Sequence, residues 1–366
     1  MYISHNKEVY KEGGSFVTAN DFSKWLNNSF IPKDPEYSWI KDVYAKSTKQ
    51  AIINTEKAFK YFFKGLGGFP KFSKKKDQTA KMYFVKNDKK QFISCERHRI
   101  NIPTLGWVRL KEKGYIPIHN KNRTEVIIKS GTISRKADRY YVSVLVEQNA
   151  STVKEKEEMN ATGLGIDLGI KDFAIRSDGE IHKNINKTEK IKKLEKKLKR
   201  EQRSLSRKYE NSKKRGEKPA AGKRANIDKN ILRVQKLHTR SADIRLEFVK
   251  SVVSDVVKTK PQYITIEDLN VKGMMKNKHL SKAIAEQCFY KFQNWLEAKC
   301  KEYGIELRQV DRFYPSSKLC SSCGQKKVDL KLSDRVYHCN NCGHEMDRDL
   351  NASINLLRAT EYAILT

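Results

Sequence analysis

No apolar run in these 366 residues approaches the roughly 18 that a membrane-spanning helix needs. The opening stretch, Met1 to Gly14, is polar and has no signal-peptide core. Acidic residues are in short supply: 43 Asp and Glu stand against 75 Lys and Arg, a formal charge of +32. Such an excess repels itself unless a polyanion is bound, and nucleic acid is the obvious one. Isolated cysteines are few. Cys95, Cys288 and Cys300 stand alone and are expected to be buried. The other four form two Cys-x-x-Cys pairs, which suits metal in a reducing cytosol better than disulfides. No Tyr or Ser nucleophile motif stands out, so covalent strand joining has no residue to carry it.

The chain is organised around Gly163-Leu164-Gly165-Ile166-Asp167-Leu168-Gly169-Ile170. Its aspartate sits among apolar residues, where a carboxylate is costly unless paired or bound to metal. Gly165 and Gly169 are expected to let backbone pass close to a ligand or turn sharply after the acid. Two later stretches offer partner acids: Tyr263-Ile264-Thr265-Ile266-Glu267-Asp268 and Asp347-Arg348-Asp349-Leu350-Asn351. Three acids converging from separate elements would hold two divalent cations and serve in-line attack on a phosphodiester. Gly-Ile-Asp-Leu-Gly also resembles the opening of the actin-like and sugar-kinase ATPases. There, small hydroxylated residues follow; here Ile170, Lys171, Asp172 and Phe173 give a phosphate little to hold.

Residues 20–64 read as helices, with Phe22, Trp25 and Leu26 at i, i+3, i+4. Ala51, Ile52, Thr55, Ala58, Phe59, Phe62 and Phe63 form a second stripe, beyond the interruption at Pro32 and Pro35. Lys64 to Lys76 is a Gly- and Lys-rich loop in which Phe69, Pro70 and Phe72 alternate with bases, a pattern that can track phosphates and stack on bases. Ala80 to Glu147 turns to short strands, among them Met82–Val85, Gly106–Leu110, Thr124–Ile128 and Arg139–Val146, and predicts a small barrel. Ser151 to Ala161 reads as a charged linker.

Beyond the central acid, Asp172–Arg176 predicts a second strand and Ser177-Asp178-Gly179 a turn. A long basic helical pair follows. Ile191, Leu194, Leu198 and Leu205 repeat on the first helix, and Ile227, Ile231, Val234 and Leu237 on the second, with a turn near Asn211–Lys223. Between Lys187 and Lys229 stand 18 basic and six acidic residues. A solvated hairpin would need no such imbalance, so Lys192, Lys193, Lys196, Lys197, Lys199, Arg200, Arg203, Arg207 and Lys208 are candidate nucleic-acid contacts. Tyr263–Ile266 predicts a strand ending at Glu267. One amphipathic helix is expected through Ala283, Ile284, Cys288, Phe289, Phe292, Trp295, Leu296 and Cys300, stopped by Gly304, with a strand at Ile305–Val310.

Cys320-x2-Cys323 and Cys339-x2-Cys342 lie 15 residues apart, a spacing that closes a tetrahedral zinc ribbon. With four thiolates its coordination is complete, so this zinc is structural rather than catalytic. Asp347 and Asp349 precede the last helix. Counted along it, Asp349, Ala352 and Ser353 share one face, while Leu350, Ile354 and Leu357 form the apolar face expected to pack on a sheet. Asp347 is expected to point more freely to solvent.

Five stretches in this order, GIDLGIKDFA, QRSLSRK, IEDLNVKGM, FYPSSKLCSSCG and CNNCGHEMDRDLNASINL, resemble the TnpB RNA-guided endonucleases of insertion sequences, relatives of the compact type V CRISPR nucleases. GFPKFSKKK and IPTLGWVRLK are similar to that family's N-terminal half, so the resemblance spans most of the chain. It implies an α/β RNase H-like (RuvC) nuclease domain with an inserted zinc ribbon, plus a helical recognition lobe and a β-barrel wedge domain. The implied division is 1–78 recognition-like and N-terminally shortened, 79–160 wedge-like, 161–318 RuvC-like with the hairpin at 187–257, 319–344 zinc ribbon (target nucleic-acid binding), and 345–366 the end of the RuvC-like domain.

Matched by motif, Asp167, Glu267 and Asp349 become the nuclease carboxylates for two Mg2+ ions, for which Mn2+ substitutes. Cys320, Cys323, Cys339 and Cys342 become the ligands of one Zn2+. The implied partners are a guide RNA and double-stranded target DNA bearing a short adjacent motif, with sequence read by base pairing. The implied setting is the prokaryotic cytosol, the protein acting as a monomer in transposon maintenance. The alternative is a cleavage-impaired, RNA-guided or plain DNA-binding regulator.

Overall fold

The computed structural model describes residues 1–72, 80–85, 93–116, 126–148, 160, 162–214, 225–331 and 333–366. The lysines of the basic loop at 73–76, the start of the strand expected at Thr124, the linker 151–161 apart from Asn160, and the hairpin turn from 215 to 223 therefore lie outside the described residues. The chain divides into two compact units, Met1–Thr152 and Val153–Thr366.

The first unit begins with a helix the sequence reading did not place, α1 (Tyr2–Lys11), whose buried residues are Tyr2, Ile3 and Asn6. Helix α2 (Ala19–Trp25) is capped by Thr18, whose hydroxyl accepts the Asp21 N–H, and it runs into a π-helical turn at Leu26–Phe30. A 3₁₀ segment, Pro35–Asp42, opens on a proline capped by Asp34 and leads to α3 (Ala45–Phe63). Tyr2, Ile3, Phe22, Leu26, Ile52 and Phe59 bury one another. Phe63 departs from the expected stripe and stays 61% exposed. Phe69 packs edge-on against Phe59 and Phe62 with Lys7 over its ring, whereas Phe72 is open to solvent.

The strands follow: β1 (Lys81–Val85), β2 (Cys95–Glu96), β3 (Arg99–Ile102), β4 (Gly106–Arg109), β5 (Val126–Lys136) and β6 (Arg139–Gln148). They form two antiparallel three-stranded sheets, β1-β5-β6 and β2-β3-β4. Among the described residues no ladder joins them, so the expected barrel resolves into two sheets. Phe84 and Ile128 of one and Ile100 and Ile102 of the other share a core.

The second unit is built on a six-stranded sheet. Its elements are β7 (Leu164–Leu168), β8 (Asp172–Arg176), β9 (Ile181–Lys183), α4 (Glu189–Lys214), α5 (Ala225–Lys258), β10 (Tyr263–Glu267), α6 (Val271–Met274), α7 (Ser281–Gln287), α8 (Phe289–Tyr303), β11 (Glu306–Val310), β12 (Val336–His338), β13 (Glu345–Asp347), α9 (Arg348–Leu357) and β14 (Ala363–Ile364). The sheet order is β14-β11-β10-β7-β8-β9; β10 runs parallel to both β7 and β11, and the remaining pairs are antiparallel. The small β12–β13 hairpin stands apart.

Alternation along the strands assigns the two faces. Leu164 and Ile166 of β7 and Ile264 and Ile266 of β10 join Val249, Val252 and Val256 of α5 and Phe289, Phe292 and Leu296 of α8 in the main core. Gly165, Asp167, Thr265 and Glu267 therefore point to the other face, on which α9 packs. A Cβ on Gly165 would stand 2.0 Å from the Ser353 carbonyl oxygen and 2.6 Å from the Leu357 nitrogen. The glycine thus admits the backbone of α9 rather than a ligand, and the expectation on this point is corrected. The residues α9 buries are Asn351, Ala352, Ser353, Asn355 and Leu356; Leu350, Ile354 and Leu357 are only partly buried.

The expected single helix over 283–300 is also corrected. Cys288 takes a left-handed conformation, φ 59°, and divides α7 from α8. It is half-exposed, while Cys95 and Cys300 are buried as expected.

Candidate metal centres and nucleic-acid interface

Asp167 and Glu267 stand at the carboxyl ends of neighbouring parallel strands, one residue beyond the Ile166–Ile266 pair and on the same face. Open α/β sheets present ligand-binding groups at that edge. Asp349 arrives on the first turn of α9. Strand and helix spacing explain why it meets Asp167. Two residues of strand from Gly165 to Asp167 rise about 6.6 Å, and four residues of helix from Ser353 back to Asp349 span about 6 Å. Ser353 packs on Gly165 one helical turn beyond Asp349, which brings Asp349 near enough for its charge to act on Asp167.

Asp167 feels both of the other acids. Burial pushes the Asp167 carboxyl well above its usual range, and Glu267 and Asp349 raise it further, with Arg348 opposing. Burial raises Glu267 as well, against a hydrogen bond donated by the Ser316 hydroxyl. The result is a set of hard carboxylate oxygens at one end of the sheet, of a kind suited to Mg2+ or Mn2+.

The acids share one end of the sheet without being gathered round one point. Among the described residues, only the cysteines form a group of three or more ligands close enough to hold a single ion. Asp349 pairs with Arg348 (3.0 Å), and Glu267 accepts from Ser316. Asp347 caps α9, its Oδ1 accepting the N–H groups of Asp349 (2.9 Å) and Leu350 (3.1 Å). Arg312 pairs with Asp268 beside Glu267 at 2.5 Å. The sequence reading assigned no role to Ser316, Arg312 or Arg348. Their only signal there was position, within or beside the stretches that carry the resemblance.

The sulfur atoms of Cys320, Cys323, Cys339 and Cys342 all lie within 4.8 Å of one another. The Gln325 N–H and the Asn341 amide hold the Cys323 thiol down at about 6, and the Cys342 and Asn341 N–H groups lower Cys339. Cys342 is pushed up to about 11: the His344 N–H lowers it, but proton sharing with Cys323 and its neighbours prevails. Four sulfurs this close cannot all ionise without a cation, and a four-thiolate shell fits one structural zinc. Tyr337, fully buried, packs with Cys320 and Cys339 to form the small core of the ribbon.

On α4, Ile191 and Leu194 are buried, and Lys192, Lys193, Lys196, Lys197, Lys199, Arg200, Arg203 and Arg207 are all exposed. Lys199, Gln202, Arg203, Ser206 and Arg207 share one exposed face of α4. Lys208 differs from the other candidates. Its ammonium donates to Asn230 Oδ1 (2.8 Å) and the Asn226 carbonyl (3.3 Å), which staples α4 to α5. Among the described residues, no helix is long and apolar enough to cross a membrane.

Comparison with known proteins adds independent findings. Residues 141–278 match the family described as "Probable transposase" (OrfB_IS605), and residues 289–356 match the "Cas12f1-like, TNB domain" family. A relative in Escherichia coli K12, "Putative RNA-guided DNA endonuclease InsQ", is 28% identical over 98% of this chain and 84% of its own length. A Streptomyces pristinaespiralis protein, "Putative RNA-guided DNA endonuclease", is 30% identical over 89% of this chain and 74% of its own. Among solved structures, the Cas12f1 chain of a Cas12f1–sgRNA–target DNA complex superposes with a TM-score of 0.57 at 15% identity. That match covers 99% of this chain and 80% of that one, and it shows a shared fold.

Proposed function

Because the chain belongs to the TnpB family of RNA-guided endonucleases, we propose that it is itself a divalent-metal-dependent endonuclease, cleaving double-stranded DNA complementary to a bound guide RNA beside a short adjacent motif. The observation that carries this reading is the convergence of Asp167, Glu267 and Asp349 at one end of the sheet, with Asp167 raised by burial and by the other two. The strand order β9-β8-β7-β10-β11, with β7 central, supports an RNase H-like (RuvC) core.

In this reading Asp167, Glu267 and Asp349 are the residues that would hold the divalent ions, each offering carboxylate oxygens. Two Mg2+ ions, when bound, would supply activation of a water and stabilisation of the leaving 3′ oxygen. The chain's own contribution is positional. The parallel pair β7–β10 fixes two acids level, and the seat of α9 on Gly165 delivers the third. Asp347 holds the first turn of α9, which keeps Asp349 from fraying. The exposed lysines and arginines of α4 bind phosphates of RNA or DNA without reading sequence, leaving specificity to base pairing.

The test is plasmid cleavage by the purified protein with its co-purifying RNA, with and without Mg2+. Linear product only with both Mg2+ and a target matching that RNA is the expected result. Guide-dependent binding with no cleavage at any divalent concentration would favour the regulator instead.

A further inference from the structure

The stretch Phe313-Tyr314-Pro315-Ser316-Ser317-Lys318 leads from β11 into the ribbon, and neither the zinc site nor the three acids account for it. Ser316 is 5% exposed, and its hydroxyl donates to Glu267 Oε1. Its own carbonyl accepts from Asn355 Nδ2 at 2.7 Å. Asn355 lies on α9, the helix that carries Asp349, and the same amide also reaches the Leu319 carbonyl at 2.7 Å. One turn earlier, Asn351, fully buried, donates to Leu319 O (2.7 Å) and accepts the Ser321 N–H (2.9 Å). One turn later, Arg358 donates to Ser321 O. Residues 351, 355 and 358 therefore form a polar row on one face of α9, clasping the chain from Ser316 to Ser321. Cys320, the first cysteine of the ribbon, lies inside that clasp.

Buried amides with every partner supplied by one loop fix that loop in a single register, since any slip leaves polar groups unpaired. The loop is thus held at one end by the sulfur cluster, along its length by α9, and at the other end it touches Glu267.

We propose that Ser316 is a positioning residue for Glu267, and that the ribbon's seat on α9 is what holds Ser316 in place. The hydroxyl holds one oxygen of Glu267 and leaves the other for a cation. The ribbon then has a second task beside any contact with nucleic acid: its order sets the geometry of an acid on the other side of the loop. This rests on the reading of Glu267 as a divalent-cation ligand.

The experiment measures Mn2+ binding directly, by the electron paramagnetic resonance signal of free Mn2+, on the full-length protein purified with its RNA. Zinc content by native mass spectrometry serves as the fold control. Ser316→Ala should keep its zinc and weaken Mn2+ binding about tenfold, the scale of one hydrogen bond to a charged group. Ser316→Thr, which keeps the hydroxyl, should return binding towards that of the unchanged protein. Cys320→Ser should weaken Mn2+ binding as well, and the double variant Ser316→Ala/Cys320→Ser should be no weaker than the weaker single variant. If Ser316→Ala bound Mn2+ normally, or if Ala and Thr were equally impaired, the positioning role would be overturned. Fully multiplicative losses in the double variant would overturn the link to the ribbon. Glu267→Gln separates the two levels: normal Mn2+ binding in that variant would remove the metal-site reading itself, whereas lost binding there beside normal binding in Ser316→Ala would remove the positioning role alone.

Discussion

Replacing Gly165 with alanine tests the link between packing and chemistry most directly. The new Cβ would meet backbone, not a side chain that can swing away: it would lie 2.0 Å from the Ser353 oxygen, and ordinary contact begins at 3.4 Å. Relief requires α9 to retreat by about 1.4 Å or β7 to buckle. Overpacking of this kind costs about 1–3 kcal/mol, and about 2 kcal/mol corresponds to a fall of roughly 5 °C in melting temperature for a unit of this size. The chemical effect should be larger than the thermal one. Asp349 rides on α9, and a displacement of about 1 Å in a reacting constellation costs on the order of 10²-fold in rate. Guide RNA binding should be unchanged, because the basic face of α4 does not move with α9. The assay is paired: thermal unfolding, and cleavage of a matched plasmid at saturating Mg2+. Normal melting together with normal cleavage would refute the claim that α9 is seated on this glycine.

Three further outcomes follow from the same geometry. Asp349→Asn should abolish cleavage while sparing guide-dependent DNA binding, and Asp347→Asn should retain most activity because asparagine caps a helix as well as aspartate does; the reverse pattern in plasmid cleavage would exchange their roles. Native mass spectrometry should find one zinc per chain, and Cys320→Ser should disorder residues 319–344 while most of the sheet-based core stays folded, seen as hydrogen exchange confined to that segment. RNA affinity should fall steeply with salt, and Lys199→Gln/Arg203→Gln should flatten the log–log slope by roughly 1.5 for two lost phosphate contacts; an unchanged slope would remove α4 from the interface.

Much of the second unit was legible because its signals are local. An apolar run with close glycines marks β7, a β-branched run marks β10, paired cysteines at a fixed spacing mark the ribbon, and the apolar stripe through Phe289, Phe292 and Leu296 marks the core helix. What escaped depends on which surfaces meet. Apart from Leu356, the face of α9 that is buried is small and polar, Ala352, Ser353, Asn351 and Asn355, because a glycine on the strand invites close approach and a loop supplies carbonyls. A reading that follows leucine and isoleucine selects the wrong face there. The break at Cys288 left no proline or glycine to announce it, and a cysteine at φ 59° is a tertiary compromise. Lys208 looked like its neighbours in sequence; only the position of Asn230 on the second helix reveals it as a staple. α1 carries no long apolar stripe, and its buried face rests on Tyr2 and Ile3 beside Asn6.

The seat of α9 on Gly165 also has a consequence in time. About 180 residues separate Asp167 from Asp349, and at a synthesis rate of roughly 5–20 residues per second the ribosome needs on the order of 10–35 s to cross that interval. Until α9 emerges, the groove over Gly165 is unfilled and the constellation lacks its third acid. The basic helices of the hairpin leave the ribosome well before that. Under the proposed function, a nascent chain can therefore engage RNA through these helices before its acid set is complete.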